Sequence, residues 1–213
     1  MFNFLNLCYP NVCGVCEKIC NEYICNKCRA KIKQYKKSDV NEYINNKNFN
    51  MYAYIFIYDG IIRKKIIKYK FLNSPYLYKF FSNIILDDLK LVDYIKNFDI
   101  IIPVPIHKKR KKKRGYNQSE LIAKEISKKL KIQLQLNVLY KNVNNSPQST
   151  LNQEQRKYNT KDVYILKNKE LIKNKNILIF DDIYTTGNTV NECSKIIRNA
   201  QVNNIGVLTI AKD

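Results

Sequence analysis

The chain has 213 residues and no apolar run long enough to span a bilayer, which excludes a helical membrane protein and allows one sizeable core plus a small appendage. Its 38 Lys and Arg against 18 Asp and Glu give a net charge of +20, so the surface attracts polyanions at low salt. Lys, Asn, Ile and Tyr are abundant together and all have A/T-rich codons, so the charge by itself names no partner.

Residues 1–10 lack a basic leading segment and a small-residue cleavage site, so no secretory signal is expected and the expected location is the cytosol. Six of the seven cysteines fall within residues 8–28. Cys13-x-x-Cys16 and Cys25-x-x-Cys28 form two short knuckles separated by eight residues, the spacing of a closed four-sulfur zinc site with a structural role. Cys8 and Cys20 fall outside the pairing and read as spare thiols, with replacement of a ligand by either as the alternative. A redox reading fits poorly, because the motif is doubled and no βαβ pattern surrounds it. This module, residues 1–45, is expected either to pack beside the rest or to contact DNA through Lys27, Arg29, Lys31 and Lys33. It fades into a polar stretch, 36–50, that reads as a linker.

The main domain is expected over 51–213, with a strand-plus-helical section at 51–95 and a core at 96–213. Residues 51–58 read as a strand closed by Asp59-Gly60, and 61–71 as a helix with Ile62, Ile66 and Ile67 on one face. Residues 76–95 read as a second helical region with Leu77, Phe80, Phe81, Ile84, Ile85 and Leu89 in the core. A buried strand follows at 99–104. The run 107–114, all cationic except His107, reads as a basic loop, and Asn117 caps a helix over 117–130. Short strands are expected at 138–140 and 163–166, then a strand at 177–180, a helix at about 189–200 and a last strand at 205–210. Strands alternating with helices argue for a parallel sheet.

The stretch 177–189, Ile-Leu-Ile-Phe-Asp-Asp-Ile-Tyr-Thr-Thr-Gly-Asn-Thr, carries the chemistry. Asp181 and Asp182 end a buried strand, where open α/β sheets bind ligands, and their acids suit a polyol or a cation. Thr185, Thr186, Gly187 and Thr189 bring hydroxyls and unshielded N–H groups to a helix N-terminus, which suits a phosphate. Acids beside a phosphate cradle fit a sugar phosphate. Neither P-loop nor dinucleotide glycine spacing is present. The turn Pro103-Val104-Pro105 is read as contacting pyrophosphate, with Arg114 coming in from the basic loop. The sole histidine, His107, beside that run, offers no Ser-His-Asp hydrolase.

The 177–189 stretch resembles the phosphoribosyl-pyrophosphate (PRPP) motif of type I phosphoribosyltransferases. The ordered set resembles the ComF family, competence-associated phosphoribosyltransferase-like proteins related to GntX. That set is the four-cysteine finger, Tyr69-Lys70-Phe71, Val104-Pro105 with Arg114-Gly115-Tyr116-Asn117-Gln118, Gln148-x-x-Leu151 with Arg156-x-x-Asn159, and the PRPP motif. Asn188 stands where a small residue is usual. The resemblance implies an α/β fold of the type I phosphoribosyltransferase kind, a parallel sheet flanked by helices, carrying a small N-terminal zinc finger. It implies PRPP bound with Mg²⁺: 5′-phosphate on 185–189, Asn188 included, ribose hydroxyls on Asp181 and Asp182, and Arg114 and Lys70 neutralising the departing pyrophosphate. It further implies DNA uptake in natural transformation, with contact to single-stranded DNA and to a DNA-translocating helicase. The alternatives are a nucleobase-salvage phosphoribosyltransferase and a non-catalytic PRPP- or DNA-binding module. The acceptor is unnamed by these residues, and nothing in them sets the oligomeric state.

Overall fold

The computed structural model describes residues 11–42, 47–143 and 163–213. The helices are α1 (Asn26–Ile32), α2 (Gly60–Phe71), α3 (Leu77–Leu86), α4 (Leu89–Lys96), α5 (Lys108–Arg114), α6 (Gln118–Leu130) and α7 (Asn188–Arg198). The strands are β1 (Lys36–Glu42), β2 (Met51–Ile57), β3 (Ile100–Pro103), β4 (Gln133–Leu134), β5 (Leu139–Lys141), β6 (Tyr164–Leu166), β7 (Asn176–Tyr184) and β8 (Asn204–Lys212). Six strands form one sheet in the order β1-β2-β8-β7-β3-β4. Only β1 runs antiparallel to its neighbour; the other pairs are parallel.

Successive residues of a strand point to opposite faces, and β7 divides its apolar run accordingly. Leu178 and Phe180 pack into a core with α2, α3, α4 and α6, while Ile177 and Ile179 pack into a second core with α7 and the β5–β6 hairpin. Both faces are covered, so β7 needs near-continuous apolar residues rather than alternation. From β3 the chain passes through α6 to β4 on one side; β7 lies on the other side of β3 and leads through α7 to β8. The strand order therefore reverses between β3 and β7. A crevice opens at their carboxyl ends, where open parallel sheets take ligands.

Several expectations need correction. The stretch read as a linker contains strand β1, whose polar sequence disguised it: edge strands carry charge and pack only one face, here Val40. The helical region 76–95 is two helices, because Asp88 accepts from the Leu91 N–H at 3.2 Å and caps α4. Leu89 sits in the first turn of that new helix and is 78% exposed rather than in the core. The basic run is helix α5, capped by His107 Nδ1 accepting from Lys109 N–H and ended by Gly115 at φ +86°. The strands near 138 and 163 pair antiparallel with each other, outside the main sheet.

The cysteine-bearing segment is docked onto this framework. Cys13, Ile24, Cys28 and Ile32 share the core containing α2 and α3. Gly14 approaches α3 so closely that a Cβ there would lie 2.4 Å from Phe80. Glu17 holds Lys65 and Lys68 of α2, each at 2.6 Å. Tyr23 and Arg29 both reach Asp87. Packing beside the main domain, one of the two roles read for this module, is thus observed. Among the described residues, no helix is long and apolar enough to cross a membrane.

Candidate functional site

Strand β7 continues past its acids, because Ile183 and Tyr184 still pair with Ala211 and Lys212 of β8. Asp181 and Asp182 therefore lie inside the strand rather than after it, at 7% and 4% exposure, and face opposite layers. Asp182 points to the α2–α6 side. Its Oδ1 accepts from Lys70 Nζ at 2.8 Å and its Oδ2 from Gln118 Nε2 at 2.7 Å. Arg114 donates to Gln118 Oε1, so a chain of donors runs from α5 through α6 to the acid.

The scaffold behind these groups is specific. Tyr69 donates to the Gln118 carbonyl at 2.9 Å, Tyr116 donates to the Tyr69 carbonyl, and the two rings stack with centroids 5.5 Å apart. Asn117 accepts from the Ser119 N–H and donates to the Val104 carbonyl at 3.1 Å, which starts α6 and ties it to the end of β3. Lys70 and Gln118 are thereby held on either side of one carboxylate. Lys70, expected near a departing pyrophosphate, is seated on Asp182.

Asp181 faces the α7 layer. Its Oδ1 accepts from Ser119 Oγ at 3.2 Å and from the Asp182 N–H at 2.9 Å. Burial pushes its pKa up to about 7 and the Asp182 charge adds to this, while Lys70 and the two hydrogen bonds hold it down. Lys141 and Tyr164 of the β5–β6 hairpin lie close to the same layer, with Lys141 Nζ 3.4 Å from the Tyr164 hydroxyl. Burial lowers the Lys141 pKa and raises that of Tyr164, and both groups feel the charge of Asp181.

Beyond the acids, Thr185 and Thr186 are exposed, and so are Asn188 and Thr189 at the opening of α7. Gly187 precedes the helix at φ +74°, a left-handed conformation, and a Cβ there would lie 2.4 Å from the Tyr184 hydroxyl. The positive φ is what calls for glycine here, and the turn exposes Thr185, Thr186, Asn188 and Thr189 close in sequence to the buried acids, with the Asn188 N–H donating to Thr186 Oγ1 at 3.5 Å. Pro103 is buried within β3, and the Val104 N–H donates to the Phe180 carbonyl at 2.9 Å. The turn at 103–105 thus stands at the carboxyl end of β3 with its one N–H held inside the sheet, so that N–H is not a donor for a ligand there. Arg114 approaches from a helix, not a loop, and burial lowers its pKa from the usual value.

Gln118 and Ser119 carry no role in the local sequence pattern; their contacts to Asp182 and Asp181 span 64 and 62 residues, which no such pattern announces. Gln148, Leu151, Arg156 and Asn159, like Cys8, lie outside the described residues.

At the opposite end of the chain, the Sγ atoms of Cys13, Cys16, Cys25 and Cys28 all lie within 4.8 Å of one another, a group able to hold a metal ion. A tetrahedral ion with metal–sulfur bonds of about 2.3 Å sets its sulfurs about 3.8 Å apart. The Cys16–Cys25 separation is 3.9 Å. Burial raises the Cys13 pKa, but N–H groups of Cys25, Cys16 and Val15 outweigh it and bring it to about 6. Burial and the neighbouring sulfurs push Cys28 up to about 12. Four such thiols ionise together only around a cation. Cys20 donates instead to the Glu22 carbonyl at 2.9 Å, and Cys193 is buried in the α7 layer, so neither joins the group.

Residues 117–213 match the family described as "Phosphoribosyl transferase domain". The "Competence protein F" of Haemophilus influenzae is 26% identical over 213 residues, covering 98% of this chain and 93% of that protein. The "DNA utilization protein YhgH" of Escherichia coli is 32% identical over 100 residues, 46% of this chain and 43% of that protein. The "Competence protein ComFC" of Bacillus subtilis is 24% identical over 143 residues, 67% of this chain and 56% of that protein. With the sheet order above, these matches bear out the type I phosphoribosyltransferase fold and the ComF resemblance.

Proposed function

From a ComF-type chain with a phosphoribosyltransferase fold, we propose that the β3–β7 crevice binds PRPP with Mg²⁺ and that the protein acts on or alongside single-stranded DNA during natural transformation. The observation that carries this reading is the pair Asp181–Asp182 at the strand-order reversal, with Lys70 and Gln118 already seated on Asp182 and the 185–189 turn beside it. The names of the similar competence and DNA-utilization proteins support the cellular part.

In this reading the 5′-phosphate sits on the N–H groups and hydroxyls of the turn at the start of α7. The ribose hydroxyls go to Asp181 and Asp182. Because Lys70 and Gln118 occupy both oxygens of Asp182, binding exchanges partners: Lys70 swings to the pyrophosphate, and Asp182 takes up a hydroxyl in its place. Arg114, held through Gln118, is the second cation for that leaving group. The carboxylate oxygens of Asp181 and Asp182 are hard donors that fit Mg²⁺, which when bound supplies charge neutralisation on the phosphates. In transfer, the bond from C1 to the pyrophosphate oxygen breaks, its electron pair leaves with the pyrophosphate, and the acceptor forms the new bond to C1. These residues position the sugar and stabilise the leaving charge.

The four-cysteine group takes Zn²⁺. Four thiolates around one ion leave no open position for water, so its task is to hold residues 13–28 in shape against α2 and α3.

Calorimetry of PRPP with and without Mg²⁺ tests the reading, comparing the native protein with an Asp181→Asn, Asp182→Asn variant shown to be folded by circular dichroism. Mg²⁺-dependent binding lost in the variant is expected. Equal binding by both proteins would move the ligand elsewhere.

A further inference from the structure

Phe71, the last residue of α2, is 68% exposed, whereas every other phenylalanine among the described residues is buried. Leu72 beside it is 63% exposed. Among the described residues this one ring is left in water, and the surroundings of Phe71 indicate what for. The ring lies on a cleft of about 740 Å³ whose wall includes Lys70, Arg110, Lys112, Lys113 and Arg114. That volume falls within the range of roughly 300–1,000 Å³ common to ligand pockets. The Arg114 guanidinium stands 5.6 Å from the ring centroid.

The cations here differ in availability. Lys111 is paired with Glu120 at 2.7 Å, which fixes α5 against α6. Lys112 and Lys113 follow on the same helix, are exposed, and have no ion pair among the described residues. The cleft therefore combines an exposed aromatic ring, with Arg114 over one face and the rest in water, and the positive charge of Lys112 and Lys113 beside it. Those are the two features that bind an unpaired strand: bases stack on the ring, and phosphates track the cations. A duplex cannot use the ring, since its bases are already stacked; an acidic peptide would need the charge but not the exposed aromatic face.

We propose that this cleft is a binding site for single-stranded DNA, with one base stacked on Phe71 and the adjoining phosphates on Lys112 and Lys113. The proposal rests on the reading that the protein contacts single-stranded DNA, and gives that contact a place. Lys70 and Arg114 line the same cleft and also reach the Asp182 network, so a strand held here lies against the PRPP crevice. The site thus brings a nucleobase next to the ribose-binding acids, with Phe71 as the residue that presents it.

The test uses the zinc-loaded protein and a short oligodeoxynucleotide carrying 2-aminopurine, followed by anisotropy and by quenching of that base. Phe71→Ala should weaken binding roughly 5- to 150-fold, the span measured for removal of one stacked base, and abolish quenching; Phe71→Trp should retain both. Lys112→Ala with Lys113→Ala should instead flatten the salt dependence, by about 0.7 in log–log slope for each phosphate left without its lysine. PRPP binding by Phe71→Ala should equal that of the native protein. An Ala variant that binds and quenches like the native protein overturns the stacking site while leaving DNA binding intact. A native protein that binds no oligonucleotide overturns both. A free mononucleotide that competes as well as the oligonucleotide overturns the assignment to a strand.

Discussion

Replacing Lys70 with Met should turn a satisfied pair of buried acids into a destabilising one. Lys70 Nζ lies 2.8 Å from Asp182 Oδ1, with the two side chains 22% and 6% exposed. Breaking a buried pair by removing one partner costs about 3–5 kcal/mol, whereas exposed pairs are worth roughly 0.2–1 kcal/mol. Here the acid is buried but the lysine is partly wet, and Gln118 still donates to the other oxygen, so we expect a loss of about 2–3 kcal/mol. The loss must grow with pH. Lys70 is one of the groups holding the Asp181 pKa down, so its removal raises that pKa further. A carboxyl raised in the folded state contributes its stability at low pH and loses it as pH rises through the folded value. Urea unfolding of the native protein, Lys70→Met, Asp182→Asn and the double variant, at pH 5 and pH 8, gives the coupling directly. A coupling of about 2 kcal/mol at the higher pH, smaller at the lower, is expected. A value under about 0.5 kcal/mol at both would mean the pair behaves as an ordinary surface pair, and the reasoning fails.

Two further outcomes follow from the same geometry. Asp181, with its pKa near 7, favours the folded state when protonated, so it costs stability as pH rises from about 4 towards 8, by at most roughly 4 kcal/mol. Asp181→Asn should remove that loss, so the Tm difference between variant and native widens in the variant's favour across this range; parallel Tm–pH curves would contradict the buried, shifted acid. Stripping Zn²⁺ with a chelator should lower Tm by on the order of 10 °C and increase hydrogen exchange in α2 and α3, which the cysteine segment packs against. A protein that purifies with no metal and keeps its Tm in chelator has no such site.

The buried acids and the hydroxyl-rich turn after them were legible because their pattern is local: an apolar run, two carboxylates, hydroxyls and a glycine in thirteen residues. The four cysteines were legible by spacing alone. What the sequence concealed has physical causes. Two acids inside a strand break the apolar pattern, so β7 seemed to stop at Phe180 although its ladder runs on to Tyr184. Like charges at helical spacing disfavour a helix, so the run at 108–114 read as a loop; His107, Gly115 and the Glu120–Lys111 pair compensate. β1 reads as polar linker because an edge strand need bury only one face. Gln118 and Ser119 acquire their meaning from long-range contacts, and Phe71 from an exposure that only the packed structure reveals.

The central claim is that one crevice holds both ends of a phosphorylated sugar, the hydroxyls on Asp181 and Asp182 and the 5′-phosphate on the 185–189 turn. The most direct measurement is a calorimetric series of PRPP, ribose 5-phosphate and pyrophosphate, each with Mg²⁺, against the native protein. The account predicts that PRPP binds more tightly than either fragment and that ribose 5-phosphate competes with it. Pyrophosphate binding as tightly as PRPP, with no competition from ribose 5-phosphate, would show a polyanion site that ignores the sugar and would contradict the account.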